Sequence, residues 1–207
     1  MSKKNDKSSD TPQKEPEKKT IKYGIFSQNT DIINIKELFK IYFEKSQVNV
    51  IKNNEKSYEF SFNENDKLSF NFGIIPENEY GNLFKIYSFF HFFLVFINIQ
   101  TTESVNKLEE IIDSLIDCSE ENIKKCYIFG VYKDENLIAN KDERITTLLN
   151  SKGVDYEYSE ININMTEDFP KGMEYLIEDS KDLMEEIEFE ELHNKNGRDK
   201  GKSCQII

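Results

Sequence analysis

Cys204-Gln205-Ile206-Ile207 closes the chain with an aliphatic residue in the penultimate place. This C-a-a-X order marks Cys204 for transfer of a prenyl group to its thiol, and the terminal Ile leaves farnesyl and geranylgeranyl both open. One lipid holds a protein to a bilayer only reversibly. Lys195, Arg198, Lys200 and Lys202 lead into the box, and each base near an anionic leaflet adds about 1 kcal/mol. The expected location is therefore the cytoplasmic face of a membrane, with a cytosolic pool. The remaining cysteines, Cys118 and Cys126, bring the total to three and form no CxxC spacing. That usage fits a reducing compartment and gives neither a disulfide framework nor a zinc site, so both read as buried small hydrophobes. His91 and His193 accompany no nucleophile pattern; the first reads as strand-packed and the second as exposed. No catalytic residue and no metal ligand is assigned.

The chain that positions these groups has 207 residues, 37% of them hydrophobic, with 16 Phe and 10 Tyr. This is enough for one core and one domain. The longest apolar stretch, 89–97, is broken by His91 and covers less than half of the roughly 20 residues a spanning helix needs. The Lys-rich N-terminus does not read as a signal peptide. A net charge of −12 would repel a phosphate backbone and argues against nucleic acid as a partner. Residues 1–20 hold six Lys, four acids and two Pro but no aromatic, the composition of a disordered arm. Residues 174–191 set nine acids against Lys181 alone, yet Leu176, Ile177, Leu183, Met184 and Ile187 recur at helical spacing. Residues 193–207 read as a basic flexible tail. The domain proper is expected at 21–192.

Within it, 21–26 reads as a strand, 27–31 as a polar turn, and Ile35, Leu38, Phe39 and Tyr42 as one face of a helix. Tyr58, Phe60 and Phe62 alternate with polar residues, as do Leu68, Phe70 and Phe72 across Asn63-Glu64-Asn65-Asp66, which predicts an antiparallel hairpin. Residues 77–88 form a weaker helical or loop stretch. The run 89–99 is almost continuously apolar, as a strand covered on both faces must be. A helix on Val105, Leu108, Ile111, Ile112, Leu115 and Ile116 follows, then a strand at 126–132. A shorter helix on Ile145, Leu148 and Leu149, stopped near Gly153, leads to a strand at 154–158 and the acidic helix, with Pro170 near its start. This order selects a three-layer α/β fold: a mainly parallel six-stranded sheet with one antiparallel edge strand and flanking helices. Ligands of such sheets lie beyond the C-terminal strand ends, here the loops after Phe26, Phe72, Ile99, Tyr132 and Tyr158.

Several stretches carry a resemblance. Ile128-Phe129-Gly130 ends a strand with Asp134 four residues on; Tyr156-Glu157-Tyr158-Ser159 ends another; Glu103-Ser104 opens a helix running through Leu108; and the terminal box begins at Cys204. With the element order over 21–192, the chain resembles the Ras superfamily of small GTPases, most closely its Ras and Rab branches. The resemblance implies a phosphate loop of form GxxxxGK[ST], whose backbone N–H groups cradle phosphate while Lys neutralises it and the hydroxyl holds Mg²⁺. The matching stretch is Ser27-Gln28-Asn29-Thr30-Asp31-Ile32-Ile33-Asn34. It has no glycine, with Ile33 in the Lys position and Asn34 in the hydroxyl position. A register using Lys36 puts Glu37 where the Mg²⁺ ligand belongs.

The family's DxxGQ segment becomes Phe72-Gly73-Ile74-Ile75-Pro76, and no threonine occurs from Asp31 to Gln100, so the first switch loop, near 46–55, lacks its usual hydroxyl; Ser46 or Ser57 could replace it only by a shift of register. The base-reading NKxD becomes Val131-Tyr132-Lys133-Asp134. Asp134 keeps the carboxylate that would pair with guanine and Ser159 the serine of the last motif; either residue also reads as an ordinary turn or strand residue. The resemblance thus implies a lipid-anchored regulator or scaffold in membrane signalling or trafficking with a degenerate nucleotide site, a pseudo-GTPase that is not an enzyme. Its partners would be protein effectors or scaffolds and the membrane surface; it would be a monomer needing no cofactor. Two alternatives remain: a working GTP-hydrolysing switch with an atypical phosphate loop, binding GTP or GDP with Mg²⁺, and an unrelated doubly wound interaction domain with a lipid anchor.

Overall fold

The computed structural model describes residues 19–27, 33–46, 49–54, 59–64, 68–75, 90–119, 125–138 and 142–199. Seven strands form one sheet in the order β2-β3-β4-β1-β5-β6-β7. They are β1 (Lys19–Ser27), β2 (Asn49–Asn54), β3 (Glu59–Asn63), β4 (Leu68–Ile74), β5 (Phe92–Asn98), β6 (Cys126–Tyr132) and β7 (Tyr156–Asn162). β1 pairs parallel with β4 and β5, and β5, β6 and β7 continue in parallel. β3 is antiparallel to both β2 and β4, so it alone runs against the other six. The hairpin read from the alternating Phe residues is present, with Phe60 opposite Phe72 and Phe62 opposite Phe70.

Helices α1 (Ile35–Ser46), α2 (Glu103–Ser119), α3 (Asp142–Lys152) and α4 (Asp168–Asp199) cover the sheet. Ile21, Tyr23 and Ile25 of β1 share a core with Phe39 of α1 and Met173 of α4, whereas Phe26 shares the opposite core with Leu108 of α2 and Ile145 of α3. Three layers result. Every residue of β5 is buried, which is why its sequence shows no alternation. Aromatic rings fill the first core: Tyr23 stacks on Phe72 at 4.5 Å and Phe39 on Phe60 at 4.6 Å between centroids. On the second face Gly24 is required by close packing, since a Cβ there would come within 2.9 Å of Ile75 Cδ1 and 3.0 Å of Phe93.

The boundaries depart from expectation at four places. β1 begins at Lys19, because Lys19 and Thr20 pair with Leu68 and Ser69. β2 occupies the stretch expected as a switch loop and adds an outermost strand beyond β3. β7 starts and ends later than 154–158, since its register with β6 runs from Cys126↔Tyr156 to Tyr132↔Asn162. α4 continues to Asp199, so the backbone at Lys195 and Arg198 is helical where a flexible tail was expected. Residues 1–18 and 200–207 lie outside the described residues.

Three consecutive residues of α4 fix it to three parts of the sheet. Asp179 accepts hydrogen bonds from Lys125 Nζ at 2.8 Å and from the Tyr127 hydroxyl at 2.7 Å. The Ser180 hydroxyl pairs with that of Tyr23, and Lys181 bonds Glu64 in the β3–β4 turn. Lys125, whose side chain is 8% exposed, also meets Glu157 at 3.1 Å. Burial pulls the Lys125 pKa down, but the bonds to Asp179 and Glu157 outweigh it and hold the ammonium above the ordinary lysine value. A raised lysine pKa stabilises fully below the unfolded value and loses that contribution as pH climbs through the folded one. Asp179→Ala leaves the buried ammonium with Glu157 as its one remaining carboxylate partner and is expected to cost about 2 kcal/mol in urea unfolding at pH 7, whereas exposed Glu174→Ala should stay within about 0.5 kcal/mol. The penalty of Asp179→Ala should shrink above pH 10.5.

Candidate functional site

In a doubly wound sheet the crevice opens where successive crossovers take opposite faces. Here that is between β1, followed by α1 on one face, and β5, followed by α2 on the other. An α-helix starts with backbone N–H groups that have no intrahelical acceptor, and a phosphate cradle aims them at its ligand. At the head of α1, Asn34 Oδ1 accepts the N–H of Glu37 at 3.2 Å while its carbonyl accepts that of Leu38 at 3.0 Å. Asn34 is thus the helix cap, and the Glu37 carboxylate adds negative charge in the first turn, where the helix dipole is positive. Ile33, in the family's Lys position, is buried in the aromatic core. The other register, with Lys36, keeps Glu37 in the place of the hydroxyl. Residues 28–32 lie outside the described residues.

The second segment is equally apolar. Phe72 is fully buried against Tyr23 and Phe39, inside β4 and facing the first core. Ile75, in the place of the family's glycine, is buried and donates its N–H to Ile25 O at 2.8 Å. Ser46 is the last residue of α1, while Ser57 and Pro76 lie outside the described residues.

Amide side chains organise the loops after β5, β6 and β7. Gln100 clamps the β6 loop at two points: its Oε1 accepts the Lys133 N–H at 3.0 Å and its Nε2 donates to Asp134 O at 3.1 Å. Asn164 Nδ2 donates to Lys133 O at 2.8 Å, and the Ile163 N–H reaches Tyr132 O at 3.0 Å. Asp134 is exposed and caps a 3-10 turn (Glu135–Leu137), its Oδ1 accepting from the backbone and side-chain N–H groups of Asn136 at 3.0 and 3.1 Å. Ser159 sits inside β7 opposite Phe129, three residues before the strand ends. Asp134 and Ser159 are therefore not brought to one loop. Gln100 and Asn164 escaped the sequence reading; the available signal was an amide residue just beyond each of two strand ends.

The remaining reactive groups are structural. His91 Nδ1 accepts the Lys22 backbone N–H at 3.1 Å while the His91 backbone N–H donates to Lys22 O at 2.8 Å. Burial, with Asp155 nearby, pushes the Cys126 thiol up to about 12, so it stays protonated and inert. Among the described residues no three His, Cys, Asp or Glu side chains gather to hold a metal ion, and no helix is long and apolar enough to cross a membrane. Lys200, Lys202 and Cys204 lie outside the described residues, as do the side chains of Lys195 and Arg198.

No family model matches the chain, and no curated protein matches it in sequence. At the level of architecture it is a doubly wound α/β domain with a generic nucleotide-binding-like topology. Gln100→Ala should speed hydrogen exchange at the Lys133 amide by about tenfold, the loss of one hydrogen bond. The Ile99 amide, bonded to Val131 O, should keep its protection in the same mass-spectrometric experiment.

Proposed function

We propose that the chain is a Ras-like domain without nucleotide turnover, acting as a lipid-anchored binding or scaffolding module at a cytoplasmic membrane face. The observation that carries this reading is the head of α1, where Asn34 accepts the Glu37 N–H and Ile33 is buried in the core. Phosphate would have to displace a cap and would find no cation in the Ile33 position. Each charge-assisted bond is worth about 1.5–3 kcal/mol, so losing the Lys and the Mg²⁺ shell weakens binding by roughly 10³ to 10⁵. Hydrolysis rests on the same groups. Phe72 and Ile75, spent on packing, support the same conclusion for the second segment.

The domain's output would then be its surface, offered to protein partners without a γ-phosphate switch. Cys204 would carry the prenyl group, and Lys195, Arg198, Lys200 and Lys202 the electrostatic share of membrane attachment.

Two measurements test the two halves. Protein purified without added nucleotide should release less than about 0.05 equivalents of guanine nucleotide on denaturation, as millimolar or weaker affinity requires; stoichiometric GDP overturns the proposal in favour of a working switch. Cys204→Ser should move the protein from the membrane to the soluble fraction of a eukaryotic host, and equal membrane recovery of both forms removes the anchor.

A further inference from the structure

Leu137, Met165 and Tyr175 are the exposed large hydrophobic side chains of the described residues, at 60%, 58% and 52%. Two of the three share one end of the molecule. Leu137 closes the 3-10 turn after β6, and Met165 stands in the loop between β7 and α4. Both loops are held in one conformation by the bonds from Gln100, Asn164 and Ile163 to the backbone at 132–134. An apolar pair on fixed loops can be covered without a large ordering cost, which is what makes a surface pre-organised for binding.

The charge around that pair is mainly negative. Glu135 and Glu160 are both exposed. The Tyr132 hydroxyl, at the end of β6, is raised by burial and then by Glu135, Glu160 and Asp168, so the charge of all three carboxylates is felt at one hydroxyl. Lys133 on the rim and Lys45, whose Nζ donates to Thr166 Oγ1 at 3.0 Å and meets Glu167 at 3.9 Å, face Glu135, Glu160, Glu167 and Asp168 and do not balance them.

We propose that this crown docks a basic amphipathic segment of a partner protein, whose apolar side chains cover Leu137 and Met165 while its Lys or Arg side chains meet Glu135 and Glu160. The proposal rests on the reading that the β6 loop serves no guanine base. Charge selects the partner: a second copy of this chain at −12, a nucleic acid or an anionic bilayer would meet repulsion, whereas a basic segment would be steered in.

The probe is a synthetic helical peptide with leucine on one face and arginine and lysine on the other, titrated into the ¹⁵N-labelled full chain. Shift changes are expected at 133–138 and 160–167, with affinity falling at least about tenfold in Leu137→Ser/Met165→Ser. The same peptide with glutamate for its bases should not bind. Shifts centred on the acidic helix at 174–186, affinity unaffected by the double substitution, or no binding at all would overturn the proposal. GTP with Mg²⁺ added to a peptide-free sample separates the two readings. Shifts at 33–38 would refute the nucleotide-free site and leave the peptide result standing.

Discussion

The backbone N–H groups that open α1 are an anion-attracting feature of the fold, and their partner decides what this end of the sheet can do. A glycine-rich loop would leave them for phosphate. Here Asn34 takes one of them, Glu37 supplies the negative charge that the dipole favours, and Ile33 seals the turn against the core. Side chains of the chain also bond the β6 loop, through Gln100, Asn136 and Asn164.

The domain is stabilised by two apolar cores, one on each face of the sheet. Sixteen Phe and a single Ala, Ala139, mean that large rings fill the first core, stacked across β1, β3, β4 and α1. Such a core is rigid because each ring contacts several others. The polar fastening of α4 through Asp179, Ser180 and Lys181 sets that helix in one register on the sheet. α4 leads toward the tail and Cys204, so the element that precedes the proposed anchor is fastened to the sheet at 179–181.

Much of this was legible in the sequence, for physical reasons that differ by element. β5 and the hairpin were clear because continuous or alternating burial leaves a pattern in residue type. β2 was not, since Asn49-Val50-Ile51-Lys52-Asn53-Asn54 lacks alternation and gains its strand only by pairing with β3. The end of β7 was misplaced because Ser159 and Glu160 look like loop, yet backbone pairing with Phe129 and Gly130 carries the strand to Asn162. At the candidate site, the absence of lysine and glycine from 27–34 could be read directly. That Asn34 caps the helix and that Gln100 bridges a loop 33 residues away could not, because both depend on geometry that no spacing encodes.

Thermal unfolding of the full chain with and without 1 mM GTP and Mg²⁺ probes the closed helix head most directly. A ligand at 100 times its Kd adds about 2.7 kcal/mol to stability, which for a chain of this size raises Tm by roughly 5 to 10 °C. With Asn34 capping the helix and Ile33 buried in the core, Tm should stay within about 1 °C, the shift of a ligand that scarcely binds. A rise of several degrees that disappears when Mg²⁺ is withheld would mean that phosphate displaces the cap, and the account of this site would be wrong.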